Sequence, residues 1–376
     1  MIPLFKPWVG KEEIEAVAEV INSGWLGVGP KTQEFEEKFA EYVGADYAIA
    51  VNSGTAALDI AIKALGIKSG EILVPSLTFA ATANVALYNN AKPVFVDIDE
   101  DTNCMSIEDA KRKFTEDTKA IIPVHYGGHP CDMDEFIEFA QRKEIPIIED
   151  AAHAAGAEYN GKKIGSVSDI TCFSFHPVKN MATGDGGMVT TNDEKVYQAV
   201  KKLRWFCINK STFERAENKK YSWYYEIDGL GYKYHMNDIT AAIGLVQLKK
   251  LDKANELRRN ISSRYMKAFS DLGWVKLPVE KPNVKSSWHM FVPKVKNRDG
   301  LIEHLGNNGI SAGVHYLPVH MHPYFEGLIK EGRINRPDTP VTDTVWKNII
   351  TLPLFPGLAD AELEKIVASV REFKPE

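Results

Sequence analysis

The chain has 376 residues, a size that fits about two domains. A hydrophobic share of 44% and a charged share of 26% are those of a globular protein and exclude disorder as the main state. Basic residues number 45 and acidic residues 51, for a net charge of −6, which excludes both a basic surface for nucleic-acid phosphates and a polybasic membrane anchor.

Four scattered cysteines, Cys104, Cys131, Cys172 and Cys207, with no CxxC pair, argue against a disulfide framework and for a reducing cytoplasm. The N-terminal residues show no basic segment followed by an apolar run, so no signal peptide is expected. Residues 72–91 carry no charge, but Pro75, Ser76, Thr78, Thr82, Asn84, Asn89 and Asn90 interrupt them, and no membrane span is expected there.

Taken in chain order, short apolar runs predict strands at 47–51, 72–74, 93–97, 120–124, 146–149, 170–175 and 187–190. They lack alternation, as strands covered on both faces do. Helices are predicted between them at 54–65, 79–89, 106–115 and 132–143, with Ser106 and Asp132 as N-caps. This alternation predicts an α/β fold with a mostly parallel seven-stranded sheet. A helix at 193–205 and an irregular aromatic-rich stretch at 206–234 follow, then a long helix at 237–272. The rest reads as a strand at 288–295, a helix at 298–307, strands at 310–316 and 349–354, and a helix at 360–373. A large domain at 1–250 and a small C-terminal α+β domain at 251–376 are expected.

Ligands of open α/β sheets bind beyond the carboxyl ends of the strands. Strand 47–51 runs into Asn52-Ser53-Gly54-Thr55, small residues opening a helix. Free N–H groups and the helix dipole favour a phosphate there, although Ser53 could equally be a plain N-cap. Glu149-Asp150 ends another strand and is followed by Ala151-Ala152-His153, which leaves room for something flat. Lys179 sits in the turn between strands 170–175 and 187–190, with Gly184, Gly186 and Gly187 behind it. Burial there would lower its pKa toward nucleophilic chemistry. Each signal alone has a bland reading: a cap, a salt-bridge partner, a solvated lysine. Together they give the order of a pyridoxal-phosphate site, which needs a phosphate anchor, an acid for the pyridine nitrogen and a covalent lysine.

Longer motifs agree. SGWLGVGPKTQEFEEKFAEYVG at 23–44, NSGTAAL at 52–58, PSLTFAATANV at 75–85, EDAAHAAGA at 149–157, FSFHPVKNMATGDGGMV at 173–189 and GVHYLPVH at 313–320 run nearly the length of the chain. In these the chain resembles the DegT/StrS family of sugar-nucleotide aminotransferases, a branch of the fold type I pyridoxal-phosphate enzymes. The resemblance implies Lys179 as covalent lysine and proton carrier, Asp150 on the pyridine nitrogen and His153 near the ring's phenolic oxygen. It implies Gly54, Thr55 and Ser174 on the phosphate and Phe79 stacked on the ring. Lys233 stands where many members have an Asn that reaches the phosphate of the neighbouring subunit, and His235 where they have an Arg. Trp25, in the 24–30 segment, would border the substrate's nucleotide, with His315, Tyr316 and His320 on the sugar side. A homodimer with shared active sites is implied, and the aromatic 205–234 stretch, with Trp223, Tyr224 and Tyr225, has an interface composition.

The implied reaction moves an amino group from L-glutamate, leaving 2-oxoglutarate, to a nucleotide-linked keto sugar with its ketone at C4, for surface polysaccharide, lipopolysaccharide or related glycan precursors. A 3-aminotransferase is the first alternative. Sugar dehydratases of the same family carry His at the lysine position, so Lys179 argues for amino transfer. A metal-dependent hydrolase would draw on His125, His129, Cys131 and Asp132, or on His315, His320 and His322, at spacings that match no zinc motif. A nucleotide-binding scaffold without chemistry would leave the Lys179–Asp150 pair unexplained.

Overall fold

The structure is a computed structural model, and it describes residues 1–208 and 223–375. Part of the aromatic 205–234 stretch, residues 209–222, lies outside the described residues.

Seven strands form the central layer: β1 (Tyr47–Val51), β2 (Glu71–Pro75), β3 (Lys92–Val96), β4 (Thr118–Ile121), β5 (Ile148–Asp150), β6 (Ile170–Ser174) and β7 (Gly187–Thr191). One set pairs in the order β3-β2-β4 and the other β1-β7-β6-β5. The sets meet through parallel bridges at Ile121–Ile147 and Val124–Asp150. Only β7 runs antiparallel to its neighbours.

Successive side chains of a strand point to opposite faces, and both faces here are apolar. Leu73 and Phe173 join one buried cluster with Phe35, Phe39 and Met188. Ile72, Val74, Ile170 and Cys172 join another with Ile49, Ile60 and Val189. That is why the strands read as unbroken apolar runs.

Helices α1 (Lys11–Ser23), α2 (Pro30–Val43), α3 (Gly54–Ala64), α4 (Ala80–Tyr88), α5 (Ile107–Lys113), α6 (Met133–Lys143) and α7 (Glu194–Leu203) surround this layer. Ser106 caps α5 by accepting from the Asp109 amide at 3.3 Å. Asp132 does not cap α6; its carboxylate accepts from the Tyr159 hydroxyl instead, at 2.7 Å. Helices α1 and α2 were not among the predicted elements. Both end on left-handed glycines, Gly24 and Gly44, and α2 starts with Pro30 at its first turn.

The 32-residue helix α8 (Asp238–Phe269) contributes Ala241, Leu245, Leu248 and Leu251 to the first cluster. Its later residues Ile261, Tyr265 and Phe269 join a third cluster with Phe291, Leu301, Leu352 and Ile366. Helices α9 (Arg298–Asn307), α10 (Pro323–Lys330), α11 (Pro340–Val345) and α12 (Asp360–Glu372) complete the chain; α10 and α11 were also unanticipated. The strands expected at 288–295, 310–316 and 349–354 reduce to the pair Val275–Lys276 with Lys294–Val295, plus single bridges such as Phe291–Leu352 and Gly313–Thr351. Trp288 is left-handed, with φ of 46°, and Pro293, Pro318 and Pro353 cannot donate to a ladder. Among the described residues no helix is long and apolar enough to cross a membrane.

Candidate active site

A cleft of about 320 Å³ opens at the carboxyl ends of β1, β2, β5 and β6, where the chain leaves the sheet. Its lining includes Gly54, Thr55, Phe79, Asp150, His153, Ser174, Lys179, His315 and Tyr316.

Ser53 caps α3, its hydroxyl accepting from the Ala56 amide at 3.1 Å, so the cap and the cradle coexist. The first turn of α3 therefore presents its other amides to the cleft, an arrangement suited to an anion. Gly54 is needed for space: a Cβ there would lie 2.7 Å from the Cβ of Ser174 on β6. Gly54→Val is expected to push α3 away from β6 and to weaken cofactor binding at least tenfold, alongside a loss of about 1–3 kcal/mol of stability. Equilibrium titration of the stripped protein with cofactor, followed by absorbance, checks this.

Asp150 ends β5 and is 5% exposed. Its carboxylate accepts from the Thr82 hydroxyl at 2.8 Å and the Ala152 amide at 3.1 Å. Burial raises its pKa, and those hydrogen bonds and the charge of Lys179 oppose the rise. The preceding residue, Glu149, faces the other way and is fully buried. It bonds His125 at 2.7 Å and accepts from Ser168 and Thr171. Strand alternation thus sends the two neighbouring acids to different tasks.

Lys179 lies in the loop after β6, half-buried and facing the cleft. Burial of its amine lowers its pKa to about 8, against the pull of Asp150. An ordinary lysine titrates near 10.4. Because the folded value is depressed, the unfolded chain binds more protons between pH 8 and the unfolded value, so stability rises with pH across that window. Below pH 8 the buried ammonium costs about 3 kcal/mol. Cofactor-stripped Lys179→Met is therefore expected to be more stable than the stripped parent at pH 7, with the gap closing toward pH 10. Denaturant unfolding at the two pH values checks it.

His153 is buried, and burial, then the charge of Lys179, holds its pKa well below the usual imidazole range. The Gly127 amide donates to its Nδ1 at 3.4 Å, and its Nε2 meets the Tyr316 hydroxyl at 3.1 Å. The neutral ring therefore carries its proton on Nε2 and donates to Tyr316. Burial pushes Tyr316 up, so its hydroxyl stays protonated and remains a donor. His315 bonds the Thr351 hydroxyl at 2.8 Å, and burial takes it down to about 4. Phe79 is 60% exposed and its ring centre lies 6.0 Å from that of Tyr316, leaving a free aromatic face on the cleft.

Three expected site residues do not line the cleft. His320 bonds the Ser76 hydroxyl at 2.6 Å and lies 3.5 Å from Asp343, tying the end of β2 to α11. Lys233 is exposed, and its backbone pairs with Trp205 and accepts from the Asn52 side chain at 3.2 Å. Trp25 donates from Nε1 to the Val28 carbonyl at 2.9 Å within its own turn. That turn is held by Asp238, which accepts from the amides of Gly29, Lys31 and Thr32. The histidines of the metal alternative are engaged elsewhere: His125 with Glu149 and the Cys131 amide, His129 with Pro130 and Lys281. Residues that sequence reasoning missed include Thr82, which meets Asp150 from α4, and Tyr126, which donates to the His315 carbonyl. No local signal marks either one.

The profile of the DegT/DnrJ/EryC1/StrS aminotransferase family matches residues 7–371. The spore coat polysaccharide biosynthesis protein SpsC of Bacillus subtilis is 40% identical, over 99% of this chain and 96% of that protein. Spr1654 of Streptococcus pneumoniae, described as a sugar aminotransferase, superposes in its PMP form with a TM-score of 0.91 at 32% identity, covering 98% of each chain. Helicobacter pylori PseC, an aminotransferase involved in the biosynthesis of pseudoaminic acid, gives 0.91 at 28% identity, covering 99% of this chain and 98% of that one. Pyridoxal phosphate is the family's cofactor, and the cleft fits it: a helix N-terminus at a glycine with no room for a side chain, a buried acid and a depressed lysine. The chain belongs to the DegT/DnrJ/EryC1/StrS aminotransferase family and is a pyridoxal-phosphate-dependent transaminase of the sugar-aminating kind.

Proposed function

We propose that this enzyme moves the amino group of L-glutamate to a nucleotide-linked keto sugar whose ketone is at C4, in the making of surface polysaccharide or glycan precursors. The observation that carries the reading is the pairing of Lys179, depressed to about 8, with buried Asp150 in one cleft. The spore-coat relative and the pseudoaminic-acid neighbour support the polysaccharide setting. A ketone at C4 is the first reading, and a 3-aminotransferase is the second.

Bound pyridoxal phosphate supplies an electron sink for charge at the carbon bearing the amine. The α3 amides at Gly54, the Thr55 hydroxyl and the Ser174 hydroxyl would hold the phosphate, and Phe79 would cover the ring. Asp150 would hold a proton on the ring nitrogen, and its two hydrogen bonds fix its direction. Lys179 Nζ, once free, takes the proton from the α-carbon of glutamate and, in the second half, delivers one to the sugar carbon. Near pH 7 about a tenth of such a group is neutral, against less than a thousandth of an ordinary lysine. His153 fixes the Tyr316 hydroxyl as a donor, with His315 beside it, on the sugar side of the cleft.

The working unit in this proposal is a cytoplasmic homodimer, joined partly through the exposed Trp223, Tyr224 and Tyr225, with Lys233 reaching the partner's phosphate and Trp25 bordering the nucleotide. The large and small domains would divide within α8, near residue 250. The test is incubation with pyridoxal phosphate, L-glutamate and a panel of UDP-, dTDP- and GDP-linked 3- and 4-keto sugars. Release of 2-oxoglutarate with a 4-amino sugar product, located by NMR, is expected. Amination at C3 would move the reading to the second alternative, and turnover with no member of the panel would sink the nucleotide-sugar assignment.

A further inference from the structure

Arg258, on α8, is 4% exposed. Among the described residues its one hydrogen bond runs from Nη1 to the Asn180 carbonyl at a long 3.5 Å, and it makes no ion pair. Burial lowers its guanidinium to about 9, and among the described residues no carboxylate opposes that shift. Buried charges are ordinarily paired, because an unpaired one gives up its hydration for nothing.

The surroundings share this lack. Arg258 Nε, Ser262 Oγ and His289 Nδ1 are all buried without a hydrogen-bond partner. Ser262 is one helical turn beyond Arg258 on the same face of α8. His289 feels the charge of Arg258, and its ring stacks on His153 at 4.6 Å. All three can donate and none carries negative charge, a set that suits an anion and not a metal ion. Asn180 Oδ1 is also unpartnered but is an acceptor, and it stands outside the set.

Position adds a reason for such a site. Asn180 follows Lys179 directly. Among the described residues the cleft lining holds one lysine, Lys179, and no arginine. We propose that Arg258, Ser262 and His289 form an internal site for a small monovalent anion, either a halide or a carboxylate of the amino donor. The carboxylate source rests on glutamate as donor; the halide source does not.

Crystals of the holoenzyme grown in sodium bromide test the site directly. Anomalous scattering is expected to place bromide against Arg258 Nε. In solution, the holoenzyme in bromide at about ten times the dissociation constant is expected to melt about 2 °C above the same ionic strength of gluconate. Arg258→Gln and, should it not fold, Ser262→Ala are expected to flatten that difference. A glutamate KM that rises with bromide at constant kcat would identify the donor carboxylate as the natural occupant. A KM indifferent to bromide, with the bromide peak present, would identify a halide. No bromide at Arg258, together with equal melting in all salts and an unchanged glutamate KM in Arg258→Gln, would overturn the proposal.

Discussion

Lys179→Ala is expected to abolish turnover, by at least about 10⁴-fold, because in the proposed mechanism one amine serves both as cofactor anchor and as proton carrier in both half-reactions. Loss of a group with two roles is not repaired by what remains in the cleft. Two other basic side chains of the cleft, His153 and His315, are held neutral and already engaged with Tyr316 and Thr351. The purified protein with pyridoxal phosphate should show a visible band that bleaches on addition of L-glutamate, with a near-ultraviolet band in its place. The alanine variant should bind cofactor more weakly and show no bleaching on that timescale. Bleaching at the parental rate would show that another residue moves the proton and would dismiss Lys179 from its role.

Asp150→Asn is expected to lower kcat/KM by about 10³-fold, or ~4 kcal/mol in transition-state stabilisation. The substitution is close to isosteric, and its oxygen can still accept from Thr82 or from the Ala152 amide. The fold should therefore survive, which separates this effect from a packing defect. What is lost is the negative charge that, in the proposed mechanism, keeps a proton on the ring nitrogen. Burial raises the pKa of Asp150, and the hydrogen bonds from Thr82 and Ala152 and then the charge of Lys179 draw it back. The cofactor should still bind to Asp150→Asn, with the visible band retained and the glutamate-driven bleaching slowed. Equal rates in the two proteins would mean that the acid is structural.

Much of this enzyme was legible in its residues. Both faces of the sheet are covered, so β1 through β7 appear as apolar runs, and their limits match the strands within a few residues. The Ser53-Gly54-Thr55 turn, the acid at 150 and the lysine at 179 carry local chemistry, and the cleft brings them together. The C-terminal third was less legible. Its pairings are single bridges broken by prolines and by left-handed Trp288, and such bridges depend on distant partners and leave no periodicity. Helices α1 and α2 had caps that could have been read, in Gly24, Gly44 and Pro30.

By itself, then, the sequence determined the layer architecture and the cofactor and pointed to the two residues proposed for the centre of the chemistry, since each rests on short-range patterns: burial period, turn composition, and residue type at a strand end. Only the tertiary structure decided which residues serve those two. Thr82 turns toward Asp150 across 68 positions of chain, Tyr316 meets His153 across 163, and His320 turns away to hold Ser76. Among the described residues Arg258 is left without a counter-charge in the same way, by packing between α8 and the Lys179 loop. Contacts of that kind follow from how layers close on one another, and no local pattern of residues encodes them.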